Sequence, residues 1–289
     1  MQGLTFQEEF NLLQEKKFLL PNDKISDIKY DLYEHNIWAE IFWRRRNIHA
    51  QREDPELSFV FQHNPSTLLE IGAAYGRVLR KLMEWEGVNT RSMMFKGIEI
   101  CKYFKPYFQR YQLEYPSLRK AELIYDNFLT TSGLKETSFD IILLPMNTLP
   151  SFSYNSLETL FTCVKRYLSK DGMFLLSNYK IPNQTRLREL MSRSQGYSGE
   201  LDLELGSGFI ASEHYDLPAI QTDYGAYIVT YVCFNTFSRN YVLEKRELIR
   251  YTLEFILKQK LQKIIEACGF SIEIFDDSSH SFVYGLVKT

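Results

Sequence analysis

Apolar residues follow two rhythms along this chain. From residue 66 to 180, short apolar runs alternate with stretches whose apolar positions fall at helical spacing. TLLEI (67–71), MMFKGIEI (93–100), AELIYDNF (121–128), FDIILLP (139–145) and MFLLSNY (173–179) read as strands. Runs this uniformly apolar suit strands covered on both faces. Between them, Val78, Leu79 and Leu82 predict a helix over Gly76 to Trp85. Leu157, Leu160, Phe161, Val164 and Leu168 predict an amphipathic helix that stops at Lys170-Asp171-Gly172. Alternation of this kind predicts an α/β core: a parallel sheet with helices on both faces.

The rhythm changes after Pro182. FIASEHY, YIVTYVCFNTF and NYVLEKREL are longer, β-branched and aromatic, with Ser238-Arg239-Asn240 as a hairpin turn, and predict an antiparallel sheet over 200–250. Helical spacing returns with Leu257, Leu261, Ile264, Ile265 and Cys268, ended by Gly269. FSIEIFDD and SFVYGLVKT then predict a closing hairpin, an antiparallel edge on the parallel sheet. Residues 1 to 60 read as helical, with Leu32, Ile37, Ile41 and Phe42 on one stripe. The expected organisation is a helical cap over 1–62, a core over 63–180 and 251–289, and an inserted antiparallel subdomain over 181–250.

Composition narrows the class. At 289 residues, 45% hydrophobic and 15% aromatic, the chain can bury a sizeable core and is not disordered. No run of about eighteen apolar residues occurs, so no membrane span is expected. MQGLTFQEEF lacks the basic-then-apolar order of a secretion signal. Cysteines 101, 163, 233 and 268 are far apart and form no C-x-x-C pair, which favours free thiols in a reducing, cytoplasmic setting over a disulfide scaffold or zinc site. A net charge of −2 makes a surface that tracks nucleic acid unfavoured, and the Arg44-Arg45-Arg46 run reads as a solvated helix face.

The chemistry lies at the first strand's end, in TLLEIGAAYGRV. A strand running into a small-residue turn that opens a helix is a nucleoside or dinucleotide site. Aligned on Gly72, the dinucleotide pattern G-x-G-x-x-G needs glycine at 74 and 77, where Ala74 and Arg77 stand; no G-K-[ST] follows for a phosphate loop. What remains is Glu70-x-Gly72-x-x-x-Gly76. A carboxylate there repels pyrophosphate and suits a ligand bearing ammonium and hydroxyl groups.

With LEIGAAYG as its first motif, the sequence resembles the class I S-adenosylmethionine-dependent methyltransferases, with Ala74 where glycine is usual. That change is small as long as position 74 needs no positive φ. The resemblance implies a Rossmann-like seven-stranded mixed sheet with an inserted antiparallel β lid. It also implies S-adenosyl-L-methionine as cofactor, lying against Glu70, Gly72, Ala73, Tyr75 and Gly76. Glu99, ending GIEI, would accept from both ribose hydroxyls, with Ile100 beside it. Asp126 would stand near the adenine amino group, with Asn127 and Phe128 lining the pocket. Met146 and Asn147 in PMNTLPSF would pass by the methionine part and the sulfur. Tyr33, with Tyr30 in YDLY, resembles an N-terminal tyrosine segment that closes over the methionine end, where a ring face attracts a sulfonium.

The acceptor must approach the methyl carbon in line, at about 3–3.5 Å. His214 and Tyr179 are the candidates to face it, and Glu213 and Asp216 flank His214. The methylating tetrad of nucleobase enzymes is absent from Pro145-Met146-Asn147-Thr148, no Pro-Cys follows the fourth or fifth strand, and no acidic cluster suggests a magnesium site. The expected partner is a small-molecule acceptor, a sugar, amine or related metabolite methylated on N or O. No membrane partner is expected, and a homodimer stays open. The alternatives are a non-catalytic or regulatory cofactor binder on the same fold, or an RNA methyltransferase.

Overall fold

A computed structural model describes residues 4–30, 35–44, 56–63, 65–84, 93–134, 138–145, 148–179, 196–197, 203–205, 208–277 and 281–289. In chain order they form α1 (Phe6–Glu15), β1 (Ile28–Tyr30), α2 (Asn36–Arg44), α3 (Glu56–His63), β2 (Thr67–Ile71), α4 (Arg77–Glu84), β3 (Met94–Glu99) and α5 (Lys105–Glu114). There follow β4 (Glu122–Tyr125), β5 (Phe139–Leu144), α6 (Leu157–Tyr167), β6 (Leu168–Tyr179), β7 (Gly196–Tyr197), β8 (Leu203–Leu205) and β9 (Gly208–Asp216). Last come β10 (Ile220–Gln221), β11 (Gly225–Ser238), β12 (Leu243–Ile256), α7 (Lys258–Ala267), β13 (Phe270–Asp277) and β14 (Ser281–Lys288). The chain divides into two compact units, one spanning Met1–Leu32 with Ile181–Ile256, the other Tyr33–Lys180 with Leu257–Thr289.

The second unit is built on a seven-stranded sheet of order β13-β14-β6-β5-β2-β3-β4 among the described residues. β4, β3, β2, β5 and β6 run parallel, and the β13–β14 hairpin joins as the antiparallel edge through β14 and β6. Strand order reverses between β2 and β5, so their carboxyl ends open the crevice in which doubly wound sheets bind ligands. The opposite end of the same two strands is stitched shut. Ser66 and Thr67 donate their amides to Asp140 Oδ2 at 2.9 and 3.0 Å, and Asp140 N–H donates to Thr67 Oγ1 at 2.8 Å. The apolar runs read as strands account for the buried centre, with Leu68, Leu143, Leu175 and Phe95 packed among Val78, Leu79 and Leu82 of α4.

Lys170-Asp171-Gly172 departs from expectation. The helix ends earlier, at Tyr167, and Leu168 already pairs with Phe139. The three residues sit in an irregularity of the strand, where the register shifts before Met173 pairs with Ile141. Gly172 lies so close to Phe139 that a Cβ would stand 2.8 Å from its carbonyl oxygen. Turn-forming residues here make a bulge rather than a helix stop. Two later boundaries fall as read: α7 is followed by Gly269 at φ +78°, and Tyr241 N–H closes the Ser238 turn at 3.0 Å.

The first unit contains the antiparallel sheet, with β9, β11 and β12 side by side. β12 continues to Ile256, past the expected limit at residue 250. The three-residue strand β1 pairs parallel with β12, Ile28 opposite Leu248, within a segment read as helical. α1 is fixed at its start by a capping box, Glu8 N–H donating to Thr5 Oγ1 and Thr5 N–H to Glu8 Oε2. Its Phe10 and Leu13 pack with Ile28, Val229, Tyr231 and Leu248. No described helix is long and apolar enough to cross a membrane.

Candidate functional site

β2 ends in a turn whose backbone is unusual. Gly72, Ala74 and Gly76 all have positive φ, at +78°, +49° and +85°. The condition set for Ala74 therefore fails, because position 74 does take the left-handed conformation that costs an L-residue about 1–2 kcal/mol. A carboxylate holds it there: Ala74 N–H donates to Glu99 Oε2 at 2.8 Å. Glu99 Oε1 accepts from Cys101 N–H at 2.8 Å. The Ala74→Gly variant, which keeps that bond and relieves the φ, should raise the unfolding free energy by about 0.5–1 kcal/mol in urea melts. A loss of stability would show that Ala74's methyl packing outweighs the strain.

The turn spends its amides on the protein. Gly72 and Ala73 donate to Ile98 O, Gly76 donates to Ala73 O, and Ala74 donates to Glu99. An anion site needs those N–H groups free. Two carboxylates stand here instead, since Glu70 and Glu99 are 2% and 6% exposed at the ends of adjacent strands. Burial pushes the Glu99 carboxyl above its usual value, against the lowering effect of hydrogen bonds from the Cys101, Ala74 and Ile100 amides. The arrangement disfavours pyrophosphate and favours a ligand offering hydroxyl donors and positive charge.

Neighbouring residues complete the rim. Ile100, directly after Glu99, is 40% exposed, a large apolar side chain held out to solvent. Asp126 is exposed and is joined to the same corner by its N–H, which donates to Glu99 O at 3.0 Å. Its Oδ1 accepts from Asn127 N–H, and Asn127 Oδ1 accepts from Leu129 N–H, so this corner is a pair of side-chain-closed turns.

No protein-family model and no curated protein sequence matches the chain. Solved structures do. The sugar N-methyltransferase KedS8 from Streptoalloteichus sp superposes with a TM-score of 0.62 at 12% identity, over 86% of this chain and 92% of that one. An S-adenosylmethionine-dependent methyltransferase from Clostridium acetobutylicum gives 0.58 at 13% identity, over 88% and 98%. The CcbJ methyltransferase from Streptomyces caelestis gives 0.55 at 14%, over 85% and 96%. The fold is that of the class I methyltransferases.

Within that fold the residues singled out from sequence separate into groups. Glu70, Gly72, Ala73, Gly76, Glu99, Ile100, Asp126 and Asn127 gather at the carboxyl ends of β2, β3 and β4. Tyr75 contributes backbone only, because its ring is fully buried among Phe42, Trp43, Phe104 and Tyr111 at centroid distances of 5.4–6.4 Å. Phe128 is likewise turned into the core, 4% exposed and 6.1 Å from Tyr167. Tyr33, Met146 and Asn147 lie outside the described residues, as do Arg45 and Arg46 of the arginine run. Tyr30 ends β1 in the other unit, 60% exposed beside Phe6. Tyr179 closes β6 opposite Ser281. His214 sits half-buried on β9 opposite Val232, on the same sheet face as Ser212 and Asp216, where Asp216 Oδ1 accepts from Thr230 Oγ1 at 2.6 Å. Glu213 points to the opposite face by strand alternation. Among the described residues no group of three metal-ligating side chains forms.

Thr148 was missed. An ideal Cβ on Gly72 would lie 2.8 Å from Thr148 Cγ2, so this glycine makes room for a threonine. The sequence reading placed PMNTLPSF near the same turn but singled out Met146 and Asn147, not the threonine that packs on Gly72.

Proposed function

We propose that the chain transfers a methyl group from S-adenosyl-L-methionine to nitrogen or oxygen of a small molecule, a sugar, amine or related metabolite, in the cytoplasm. The observation that carries this reading is the pair of buried glutamates at neighbouring strand ends beside a turn whose amides are already bonded. Bound there, the cofactor supplies a methyl group on a sulfonium, whose departure as a neutral thioether needs no acid.

The chain's own residues have the following work. Glu99 keeps lone pairs beyond those used by Ala74 and Cys101, and these accept the ribose hydroxyls. Ile100 presents an apolar surface to the adenine and Asp126 an exposed acceptor for its amino group. Glu70 supplies negative charge toward the ammonium. The acceptor-side candidates are His214 on β9 and, in the other unit, Tyr179 at the end of β6. The likeness to a sugar N-methyltransferase favours an amino-bearing acceptor over a polymer.

Two measurements test the reading. Calorimetry should show binding of S-adenosyl-L-methionine and none of a nicotinamide dinucleotide. Incubation with a mixture of amino sugars and small amines should then release S-adenosylhomocysteine. A chain that binds the dinucleotide and not the sulfonium compound overturns the proposal, and binding without any turnover across amines, sugars and carboxylates supports a regulatory binder instead.

A further inference from the structure

Two buried oxygens at the carboxyl end of β6 stand without a protein partner. Ser177 is 0% exposed and Asn178 is 7% exposed, and among the described residues neither Ser177 Oγ nor Asn178 Oδ1 meets a hydrogen-bond partner. Solvent does not pair them, because both atoms are shut away from it. Strands disfavour asparagine, and an unpaired buried polar group costs stability, so packing alone does not account for this pair. Their register neighbours on β14 are Val283 and Phe282, whose buried apolar side chains offer no hydrogen bond.

The strand ladder gives the place its shape. β5 pairs with β6 as far as Leu144 opposite Leu176 and then ends. Pro145 follows, with no N–H to extend the ladder. β6 runs on through Ser177, Asn178 and Tyr179, which pair with β14 on the other side. Among the described residues, the edge that faced β5 is therefore unpaired past Leu176. A group lying along that edge meets Ser177 on one sheet face and Asn178 on the other, because side chains alternate. Ser177 shares its face with Glu70, through the row Glu70, Leu143, Leu175, at a spacing of two strands or about 10 Å. The proposed cofactor residues occupy the ends of β2, β3 and β4, so the end of β6 belongs to the other reactant.

We propose that the end of β6 is where the acceptor is recognised, with Asn178 Oδ1 accepting an N–H of an amine acceptor and Ser177 Oγ supplying a second contact. The inference rests on the methyltransferase reading above and narrows its acceptor to an amine. In the transfer the amine lone pair forms the bond to the methyl carbon while the carbon–sulfur pair withdraws onto sulfur, leaving a neutral thioether. Nitrogen becomes cationic, its N–H becomes a stronger donor, and its surplus proton leaves to water afterwards. A fixed amide oxygen thus holds the transition state more tightly than the incoming amine. A carboxylate nucleophile has no hydrogen to give and sets its own oxygens against Oδ1.

The full chain is assayed with S-adenosyl-L-methionine and either ethanolamine, glucosamine or propionate, following release of S-adenosylhomocysteine. The parent should turn over an amine and leave propionate untouched. Asn178→Leu, similar in size and without hydrogen-bonding groups, should lower kcat/KM for the amine at least tenfold, and Ser177→Ala several-fold. Calorimetry should show unchanged cofactor affinity in both. The leucine variant should melt at the parental temperature or about 2–4 °C higher, since an unpaired polar group has gone. A purely structural role predicts the reverse, a lower melting temperature with turnover intact. Should the leucine variant fail to melt cooperatively, Asn178→Ala carries the kinetic comparison. Parental turnover in the variants, turnover of propionate, or cofactor binding with no turnover of either amine overturns the assignment. A parent chain that does not bind S-adenosyl-L-methionine takes down the cofactor reading itself, a result distinct from a failure at β6.

Discussion

Glu99→Ala is expected to cost the parallel-sheet unit about 2–4 kcal/mol of stability and to weaken S-adenosyl-L-methionine at least tenfold. The stability loss follows from two amides. Ala74 and Cys101 both donate to this carboxylate at 2.8 Å, and alanine leaves them without an acceptor in a site only 6% exposed. Each stranded donor costs about 1–3 kcal/mol. On the proposed reading, the affinity loss follows from the ribose, whose two hydroxyls would lose charge-assisted bonds of roughly 1.5–3 kcal/mol each. Ala74 would also lose the bond that holds its positive φ, so the turn relaxes and the loss of binding exceeds that of the ribose contacts alone.

The pH dependence has a definite sign. Burial raises the Glu99 carboxyl above its ordinary 4.5, so between that value and its raised folded value the native chain holds a proton that the unfolded chain has released. Stability contributed by this group therefore declines as pH rises through that window and is constant above it. Ribose hydroxyls prefer the ionised carboxylate, so cofactor affinity should climb with pH across the same window and then level off. Calorimetry at a series of pH values checks this, and Glu99→Gln should abolish the climb. Unchanged affinity in Glu99→Ala removes Glu99 from the ribose.

Much of the fold is readable because its strands are local. TLLEI, FDIILLP and MFLLSNY are apolar on both faces, a pattern that a doubly covered sheet requires and that needs no distant information. The turn's carboxylates were readable for the same reason, since each ends its own strand. What escaped is non-local. β1 is three residues long, and only its pairing with β12, more than two hundred positions away, makes IKY a strand. The left-handed Ala74 could not be foreseen from alanine itself, because the acceptor that fixes it is Glu99 on the next strand. Thr148 and Gly72 come together only when β5 docks against β2. Tyr75 was legible as part of the turn, but the direction of its ring is decided by aromatic residues from α2 and α5.

The same non-locality governs the antiparallel unit, where Arg250→Met should be among the most damaging substitutions. Arg250 donates from Nε to Glu9 Oε2 at 2.8 Å and from Nη2 to Glu9 Oε1 at 2.9 Å, a two-pronged pair. Tyr231 O–H donates to the same Oε2 at 2.6 Å, and Glu9 is 2% exposed. The carboxylate on α1 is thus held by β12 and β11, tying this helix to residues 241 and 222 positions later. Burial and the Glu9 carboxylate push the Tyr231 hydroxyl well above its ordinary value, so it remains a donor throughout the working pH range. Removing the guanidinium leaves a buried carboxylate with tyrosine alone, which costs about 3–5 kcal/mol. Urea unfolding followed by fluorescence should show that loss in the transition of this unit. The double variant Glu9→Leu with Arg250→Met should recover a large part of it, because an apolar pair strands no charge and Tyr231 forfeits one bond only. A double variant as unstable as the sum of the singles would mean that the three side chains act independently, and that α1 is held by Phe10 and Leu13 rather than by its carboxylate.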